Sequence, residues 1–575
     1  MDAVDRELLG RLWPAWRSAW VVHDDGTLLV VDKPAGVPSM AARPEEVADD
    51  VASRLRAWLA ERDGVPPEQV YLGVHHRLDR DTSGLLLFAR RREANAALAR
   101  AFETHRVERG YLAAVRLAAG QKVPGRIDRP LRRARDHRRM EVAPRGARGS
   151  QPARTRCALL ERRGEMALLR AEPETGRTHQ IRVHLASAGL PVAGDPLYEG
   201  PPAPRLMLHA ETLSLEHPLG GERLRLTAPR PASFEAWLRG HAQRDPREPG
   251  ALRAALAQAM PARWGLGHSA SGPRPTTAFR LLHGEGEGLP GVAVDRYGPF
   301  ALVQVDEALG EALARQVAAT VAELGFAGVY LQRRPRRLRG LSAAQRRQLA
   351  PAEPVAGRPA PAPLVVLEEG LPLEVTLGDG FATSLYTDQR EARRWLRARC
   401  DGASVLNLFG YTGAFTVAAA AGGARRTLTV DASAPALRQA ERNLALGGYG
   451  GAHRFARGDV FEVLEVVQAA GDCFDFVVLD PPTYGASRRG RWRSARDWPR
   501  LVAAAARVTA PGGWLYASSN DRRLSARALR DAVLEGVRRA GRDVASLRPR
   551  PAPIDYPHFA SGEPHLRAWL VRLGP

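Results

Sequence analysis

The chain has 575 residues, too many for one ordinary domain, and its hydrophobic fraction of 44% is normal for packed cores and argues against wholesale disorder. Its formal net charge is +21, and Lys33 and Lys122 are the only lysines among 84 basic residues; acidic residues have not risen to cancel the arginines, which favours a polyanionic partner over a bare compositional bias. Three scattered cysteines (Cys157, Cys400, Cys473) argue against a disulfide framework or a Cys-rich zinc site, and with no apolar leader and no apolar run near eighteen residues a cytoplasmic protein free of membranes is expected.

In chain order, Thr27 to Val31 is an apolar strand ending in the turn Asp32-Lys33-Pro34-Ala35-Gly36. Helical spacing runs from Glu45 to Leu59. The loop His76-Arg77-Leu78-Asp79-Arg80-Asp81-Thr82-Ser83-Gly84 leads into a buried-strand candidate, Leu85 to Phe88. Further strands are expected at Tyr111 to Val115, Ala167 to Ala171 and Leu206 to Leu213. Residues 21–240 thus read as an α+β domain with a mainly antiparallel sheet, behind an N-terminal extension of residues 1–20. Residues 241–275, polar and rich in Pro, Gly and Arg, read as a linker with one helix candidate at Leu252 to Ala262.

Strand character returns at Val292 to Val294, Ala301 to Val305 and Gly328 to Leu331, with helical spacing from Leu309 to Leu324. This predicts a small central α+β domain over residues 276–375, in which Pro351 to Pro363 excludes helix or inner strand. Residues 376–575 then alternate strands and helices: Val405 to Leu408, Gly413 to Ala421, Arg426 to Val430, Ala434 to Leu446, Phe476 to Leu479, Trp498 to Val508, Trp514 to Ala517. That alternation predicts a Rossmann-like, doubly wound α/β domain.

The Asp79 loop alone could be a capped turn with Arg77 and Arg80 on a solvated face. It is accompanied, however, by Arg109-Gly110-Tyr111-Leu112-Ala113, by Glu174-Thr175-Gly176-Arg177-Thr178-His179-Gln180-Ile181-Arg182-Val183-His184 and by Gly194-Asp195-Pro196-Leu197-Tyr198. In order and spacing these blocks, from about Val21 to Leu238, resemble the RluA-type pseudouridine synthases. The resemblance implies Asp79 as the catalytic aspartate, Tyr111 as the aromatic beneath the uracil and Arg182 as the partner of Asp79. It makes Arg77 and Arg80 substrate-binding, with Arg80 filling the gap left by a flipped uridine, and implies no metal and no diffusible cofactor. The physics suits these roles: a guanidinium keeps a carboxylate charged and oriented, and a tyrosine holds a detached base by stacking. The segment before Val21 is too short for the small RNA-binding domain of many relatives, so targeting is expected from elsewhere. The Arg126, Arg129, Arg132, Arg133, Arg135, Arg138 and Arg139 cluster either grips phosphates or is a solvated loop.

In the C-terminal third, Phe409-Gly410-Tyr411-Thr412-Gly413 follows a strand, and Asp431 closes the next strand about twenty residues on, where a carboxylate can bond a ribose. Asp459 and Asp480-Pro481-Pro482-Thr483-Tyr484 follow the third and fourth strands, the latter like the base-holding loop of methyltransferases. With Thr276 to Arg280, Asp295-Arg296-Tyr297-Gly298 and Asp388-Gln389-Arg390, these residues resemble the RlmI/RlmK group of ribosomal-RNA methyltransferases from about Thr276 to Leu573. The resemblance implies S-adenosyl-L-methionine held by Asp388, Arg390, Phe409, Gly410, Gly413, Asp431, Asp459 and Asp480, with Pro481, Pro482 and Tyr484 on the substrate. The segment Ala382 to Thr387 departs from the family pattern, which puts the cofactor pocket in question.

Methylation at cytosine C5 normally needs a cysteine thiolate, and no cysteine follows Asp480; Ser518-Ser519-Asn520 stands where cytosine-C5 members carry one. Guanine N7 needs only positioning, so a nitrogen acceptor, guanine N7, is expected. Arg488, Arg489, Arg491, Trp492, Arg493, Arg496 and Trp498 interleave cations with aromatics and suit RNA, as does the Arg333 to Arg347 cluster. The expectation is a bifunctional enzyme acting on RNA, large-subunit ribosomal RNA on resemblance, with no DNA partner. The alternatives are an RNA-binding or ribosome-assembly factor in which only the first half is active, or methylation at cytosine C5.

Overall fold

The computed structural model describes residues 3–13, 16–40, 50–134, 139–144, 146–195, 197–201, 203, 205–240, 243–268, 275–336, 340–482, 486–487, 490–491, 494–550, 552–558 and 564–575. The chain divides into two compact units: Met1–Pro273 with Gly284–Pro290 and Pro557–Gly562, and Arg274–His283 with Gly291–Tyr556 and Glu563–Pro575.

The first unit is built on a ten-stranded sheet among the described residues, in the order Val21–Asp24, Leu28–Lys33, Ser83–Ala89, Leu208–Glu216, Glu108–Arg116, Met166–Pro173, Arg154–Arg163, Arg126–Asp128. Gly73–Val74 and Arg223–Thr227 pair beside this path. Every pairing is antiparallel except that of Leu208–Glu216 with Ser83–Ala89, where His209 faces Ser83. Ser83–Ala89 is buried at all seven positions, as the unbroken apolar run Leu85 to Phe88 requires of a central strand. Gly84 enters that strand at φ +109°, and a Cβ there would lie 2.2 Å from the Ala210 carbonyl oxygen, so only glycine lets the chain pass. The functional loop therefore ends at a fixed point of the sheet.

Within the stretch expected as linker, Ala251–Ala262 and Trp264–His268 are helical. They pack in the first unit with the N-terminal helix Ala3–Leu12; the Trp16, Trp20 and Trp264 rings meet edge-on at 4.8–5.4 Å, and Arg54 lies 4.0 Å over Trp264. Packing of three tryptophans, with the buried Arg54 stacked over one of them, gives this segment a place on the domain.

The second unit opens with a five-stranded sheet, Ala278–His283, Val292–Tyr297, Phe300–Asp306, Gly328–Arg334 and Ala356–Gly357, covered by the helix Glu311–Ala322. The proline-rich stretch supplies only the two-residue edge strand Ala356–Gly357. A hairpin, Leu364–Glu368 with Leu371–Val375, follows; its Leu364, Val366, Leu371 and Leu373 share a core with Phe300, Tyr330, Val417 and Ala418.

The last sheet runs Ala452–Arg457, Arg426–Asp431, Ser404–Leu408, Phe474–Leu479, Thr509–Ser519, Arg567–Leu573, Val544–Pro549. The first five strands are parallel and the last two pairings antiparallel. Strand order reverses between Ser404–Leu408 and Phe474–Leu479, so Leu408 and Leu479 are register partners and the loops after them open side by side. In an open α/β sheet that reversal is where ligands bind.

Candidate active sites

In the first unit, Asp79 sits in the loop that ends at Gly84, and this loop is pinned from behind. The Lys33 ammonium, fully buried, donates to the carbonyls of Pro34 (2.9 Å), Val37 (2.8 Å) and Arg80 (2.9 Å). Ser39 Oγ donates to the Leu78 carbonyl at 2.8 Å and accepts from the Leu78 N–H at 3.0 Å. The Asp32 to Gly36 turn is thus the support of the Asp79 loop, a role its position far upstream does not advertise.

Arg182 reaches the same loop from the helix Gln180–Ser187. His179, just before the helix, takes a left-handed conformation (φ 55°), which turns the chain into it. The Arg182 guanidinium donates through Nη1 to Asp79 Oδ2 at 3.0 Å, and through Nε and Nη2 to Asp195 at 2.6 and 2.8 Å. Asp195 is fully buried, whereas Asp79 is 29% exposed. Burial opposes the charge on Arg182, but the two carboxylates outweigh it and raise its pKa, so the guanidinium stays charged. His179 Nε2 lies 3.9 Å from Asp79, its Nδ1 is 2.9 Å from the Tyr198 hydroxyl, and Arg182 stands 5.3 Å over the Tyr198 ring.

Tyr111 is buried on Glu108–Arg116, two strands from the loop in the sheet. Burial raises its hydroxyl pKa; Arg109 opposes this and the Asp79 carboxylate adds to it, which places the phenol within the field of Asp79. The structure thus joins Asp79 and Arg182 directly and sets Tyr111 on a strand two removed from the one that the Asp79 loop enters. Arg77 is exposed, and the Arg80 side chain pairs with Asp81 at 2.9 Å on the surface. Sequence reasoning quoted Asp195, Tyr198 and Lys33 but gave them no role; only the paired geometry reveals one.

In the second unit the turn after Leu408 is tight: Phe409 and Tyr411 both have positive φ (57° and 48°). A Cβ on Gly410 would lie 2.4 Å from Thr429 Cγ2. Asp431 closes the turn, accepting the Tyr411 N–H through Oδ2 at 2.9 Å and the Ser433 N–H through Oδ1 at 2.8 Å, which leaves lone pairs for ribose hydroxyls. Gly413 starts the next helix at φ 76°, packed on Ala440. Asp459 caps the helix Val460–Ala469 by accepting the Phe461 N–H at 2.8 Å.

Asp480 is held by Ser518, whose Oγ donates to it at 2.7 Å, and Gln389 Nε2 lies 3.1 Å from that Oγ. Burial, with the neighbouring Asp388 charge, pushes the Asp480 carboxyl up to about 6 despite the Ser518 bond. Burial alone would raise Asp388 too, but the His565 hydrogen bond and the Arg280 and Arg393 charges hold it below the usual carboxylate range. His565 Nε2 is 3.4 Å from Asp388 Oδ2, while Asp388 Oδ1 is buried without a hydrogen-bond partner among the described residues.

These features fit S-adenosylmethionine: a turn without room for a Cβ, a carboxylate placed for ribose, and a buried carboxylate oxygen left unpaired, as an ammonium group would need. Arg390 does not join them. It is fully buried in an ion pair with Asp555, so its guanidinium is a structural clamp rather than a group facing the turn. Pro481 is buried and Pro482 exposed beside Asp480. Tyr484, with Thr483, Arg488, Arg489, Trp492, Arg493, Arg135 and Arg138, lies outside the described residues. Trp498, expected among RNA-facing aromatics, is instead fully buried in the core beneath the sheet. Cys473 is exposed at the start of Phe474–Leu479, a six-residue strand whose far end carries Asp480, roughly 20 Å away at about 3.3 Å per residue.

Sequence profiles of known families match both halves: RNA pseudouridylate synthase over residues 27–187, and S-adenosylmethionine-dependent methyltransferase over residues 280–568. The chain is 32% identical over 321 residues to a ribosomal RNA large subunit methyltransferase of Deinococcus radiodurans, covering 52% of this chain and 73% of that protein. It is 32% identical over 289 residues to ribosomal RNA large subunit methyltransferase I of Klebsiella pneumoniae, covering 49% of this chain and 70% of that one. A methyltransferase crystallised in complex with SAH superposes with a TM-score of 0.50 at 21% identity, over 63% of this chain and 88% of that chain, which shows the shared fold.

Proposed function

The chain belongs to the S-adenosylmethionine-dependent methyltransferase family and carries an RNA pseudouridylate synthase domain ahead of that region, and from this premise we propose one enzyme that makes two independent edits to large-subunit ribosomal RNA in the cytoplasm.

In the first half, the observation that carries the reading is the bridge Asp195–Arg182–Asp79. Arg182 holds Asp79 by a charge-assisted hydrogen bond and aims it at the sugar of a uridine that has left its stack. The carboxylate attacks the ribose or takes its proton, the C–N glycosidic bond breaks, and the base turns over Tyr111; C5 then bonds C1′ as Asp79 is released or returns its proton, C5 loses its proton and N1 takes one up. Tyr111, kept neutral by burial, holds the detached base by stacking.

In the second half, the meeting of the Gly410 turn, Asp431 and Asp480 at the strand-order reversal carries the reading. Bound there, S-adenosylmethionine supplies an electrophilic methyl on its sulfonium. Asp431 would bond the ribose hydroxyls, and the unpaired Asp388 Oδ1 would accept from the ammonium. Asp480 and Pro481 set the plane of the acceptor base. Ser518 occupies the position beside Asp480 and Cys473 is at the opposite end of the strand, so no thiolate is at hand to activate a pyrimidine C5. This favours a nitrogen acceptor, guanine N7, which is nucleophilic without covalent help.

The test is nucleoside mass spectrometry of an unmodified large-subunit ribosomal RNA transcript incubated with the purified protein and S-adenosylmethionine. Pseudouridine and 7-methylguanosine are expected; 5-methylcytidine in place of 7-methylguanosine would overturn the nitrogen reading.

A further inference from the structure

Among the large apolar side chains that stand exposed in the described residues, Tyr386 is the only aromatic, at 53% exposure. A single exposed ring is ordinary on a protein surface; its setting here is not. Its backbone is clamped, for Arg393 Nη2 donates to the Tyr386 carbonyl at 2.9 Å and Thr412 Oγ1 donates to the Ser384 carbonyl at 2.5 Å. The next three residues, Thr387–Gln389, form a buried turn that carries Asp388. The ring centroid lies 5.7 Å from that of Tyr411, tilted by 40°, and the Tyr411 N–H is the one held by Asp431. Partial burial, then Tyr411 and the Asp388 and Asp480 carboxylates, push the Tyr386 hydroxyl up to about 12, so it stays neutral. A flat, uncharged ring on a clamped backbone thus stands beside Tyr411 of the Gly410 turn and next in the chain to the buried turn that carries Asp388.

We propose that Tyr386 is the platform on which the unstacked acceptor base lies during methyl transfer, an assignment that rests on the methyltransferase reading above. An RNA base must leave its neighbours to reach the site and loses stacking as it does so. A fixed aromatic face returns that stacking with little ordering cost, and for any base, because each has a π-face. Tyr386 thus contributes binding of the flipped base, while Asp480 and Pro481 select the reacting edge.

The experiment measures initial rates of methyl transfer against concentration of an unmodified large-subunit ribosomal RNA transcript, at saturating S-adenosylmethionine. Tyr386→Ala should raise KM for the RNA about tenfold with kcat little changed. Tyr386→Phe and Tyr386→Trp should keep the wild-type KM. Affinity for S-adenosylhomocysteine, measured by calorimetry, and pseudouridine formation by the same preparation should not move. A wild type that methylates while Tyr386→Ala has an unchanged KM overturns the inference. So does a fall in S-adenosylhomocysteine affinity in Tyr386→Ala, which would make the ring a wall of the cofactor pocket. A wild type that transfers no methyl to this RNA sinks the methyltransferase reading beneath it instead.

Discussion

Asp195→Asn isolates what holds the first site in register. Arg182 makes three hydrogen bonds to carboxylates, two of them, at 2.6 and 2.8 Å, to the fully buried Asp195 and one, at 3.0 Å, to Asp79. An amide keeps the shape but turns one acceptor into a donor facing a guanidinium N–H, and it removes the buried counter-charge. Breaking a buried pair from one side costs about 3–5 kcal/mol, and Asp79 remains to compensate, so the lower figure of about 3 kcal/mol applies. For a domain of this size that is a fall in Tm of roughly 6–12 °C for the first unit. With its anchor gone Arg182 no longer aims at Asp79, and kcat for pseudouridine formation should fall about 10–100-fold, each tenfold corresponding to about 1.4 kcal/mol. Thermal melts and a tritium-release assay on uridine-labelled transcript read the two effects. A variant melting within about a degree of wild type, with an unchanged rate, would refute the bridge as the device that orients the site.

Asp480→Asn should change the pH dependence of stability. The partly buried carboxyl, pushed up to about 6, binds its proton more tightly in the folded than in the unfolded protein, so its contribution is lost as pH rises through about 4 to 6. The amide removes that penalty, so the variant should melt above wild type at neutral pH, by the equivalent of about 1–3 kcal/mol, with the gap closing near pH 4; parallel melting curves across that range contradict this. Gly410→Ala should weaken S-adenosylhomocysteine binding by about tenfold or more and leave pseudouridine formation intact, because the added Cβ meets Thr429 Cγ2 at 2.4 Å and must displace the turn. Calorimetry that shows wild-type affinity would place the cofactor elsewhere.

The two constellations are legible in the sequence because each is carried by short blocks whose order survives in the chain. Their internal wiring is not. Asp195 stands thirteen residues from Arg182, a spacing that no helix or strand period connects, and the pair meets only because Leu190 to Gly194 folds back beneath the helix. Arg390 shows the converse: its motif places it near the cofactor, but Asp555, 165 residues away, claims its guanidinium. The hairpin Leu364–Glu368 with Leu371–Val375 is hidden behind a proline-rich approach, and its apolar alternation becomes meaningful only against Phe300 and Val417. Trp498 reads as part of an arginine–aromatic stripe, yet its helix turns that ring into the core, since composition alone cannot fix which face a short stripe presents.

The central claim is that two active sites on one chain work independently. It is tested most directly by assaying Asp79→Asn and Asp431→Ala side by side, scoring pseudouridine and methyl incorporation in the same unmodified large-subunit ribosomal RNA transcript. Asp79→Asn should lose pseudouridine and keep wild-type methylation, because Asp79, anchored by Arg182, is the carboxylate proposed to act on the sugar. Asp431→Ala should lose methylation and keep pseudouridine, because Asp431 closes the Gly410 turn in the other unit. Loss of both modifications from either substitution, in a protein that still melts cooperatively, would contradict the account.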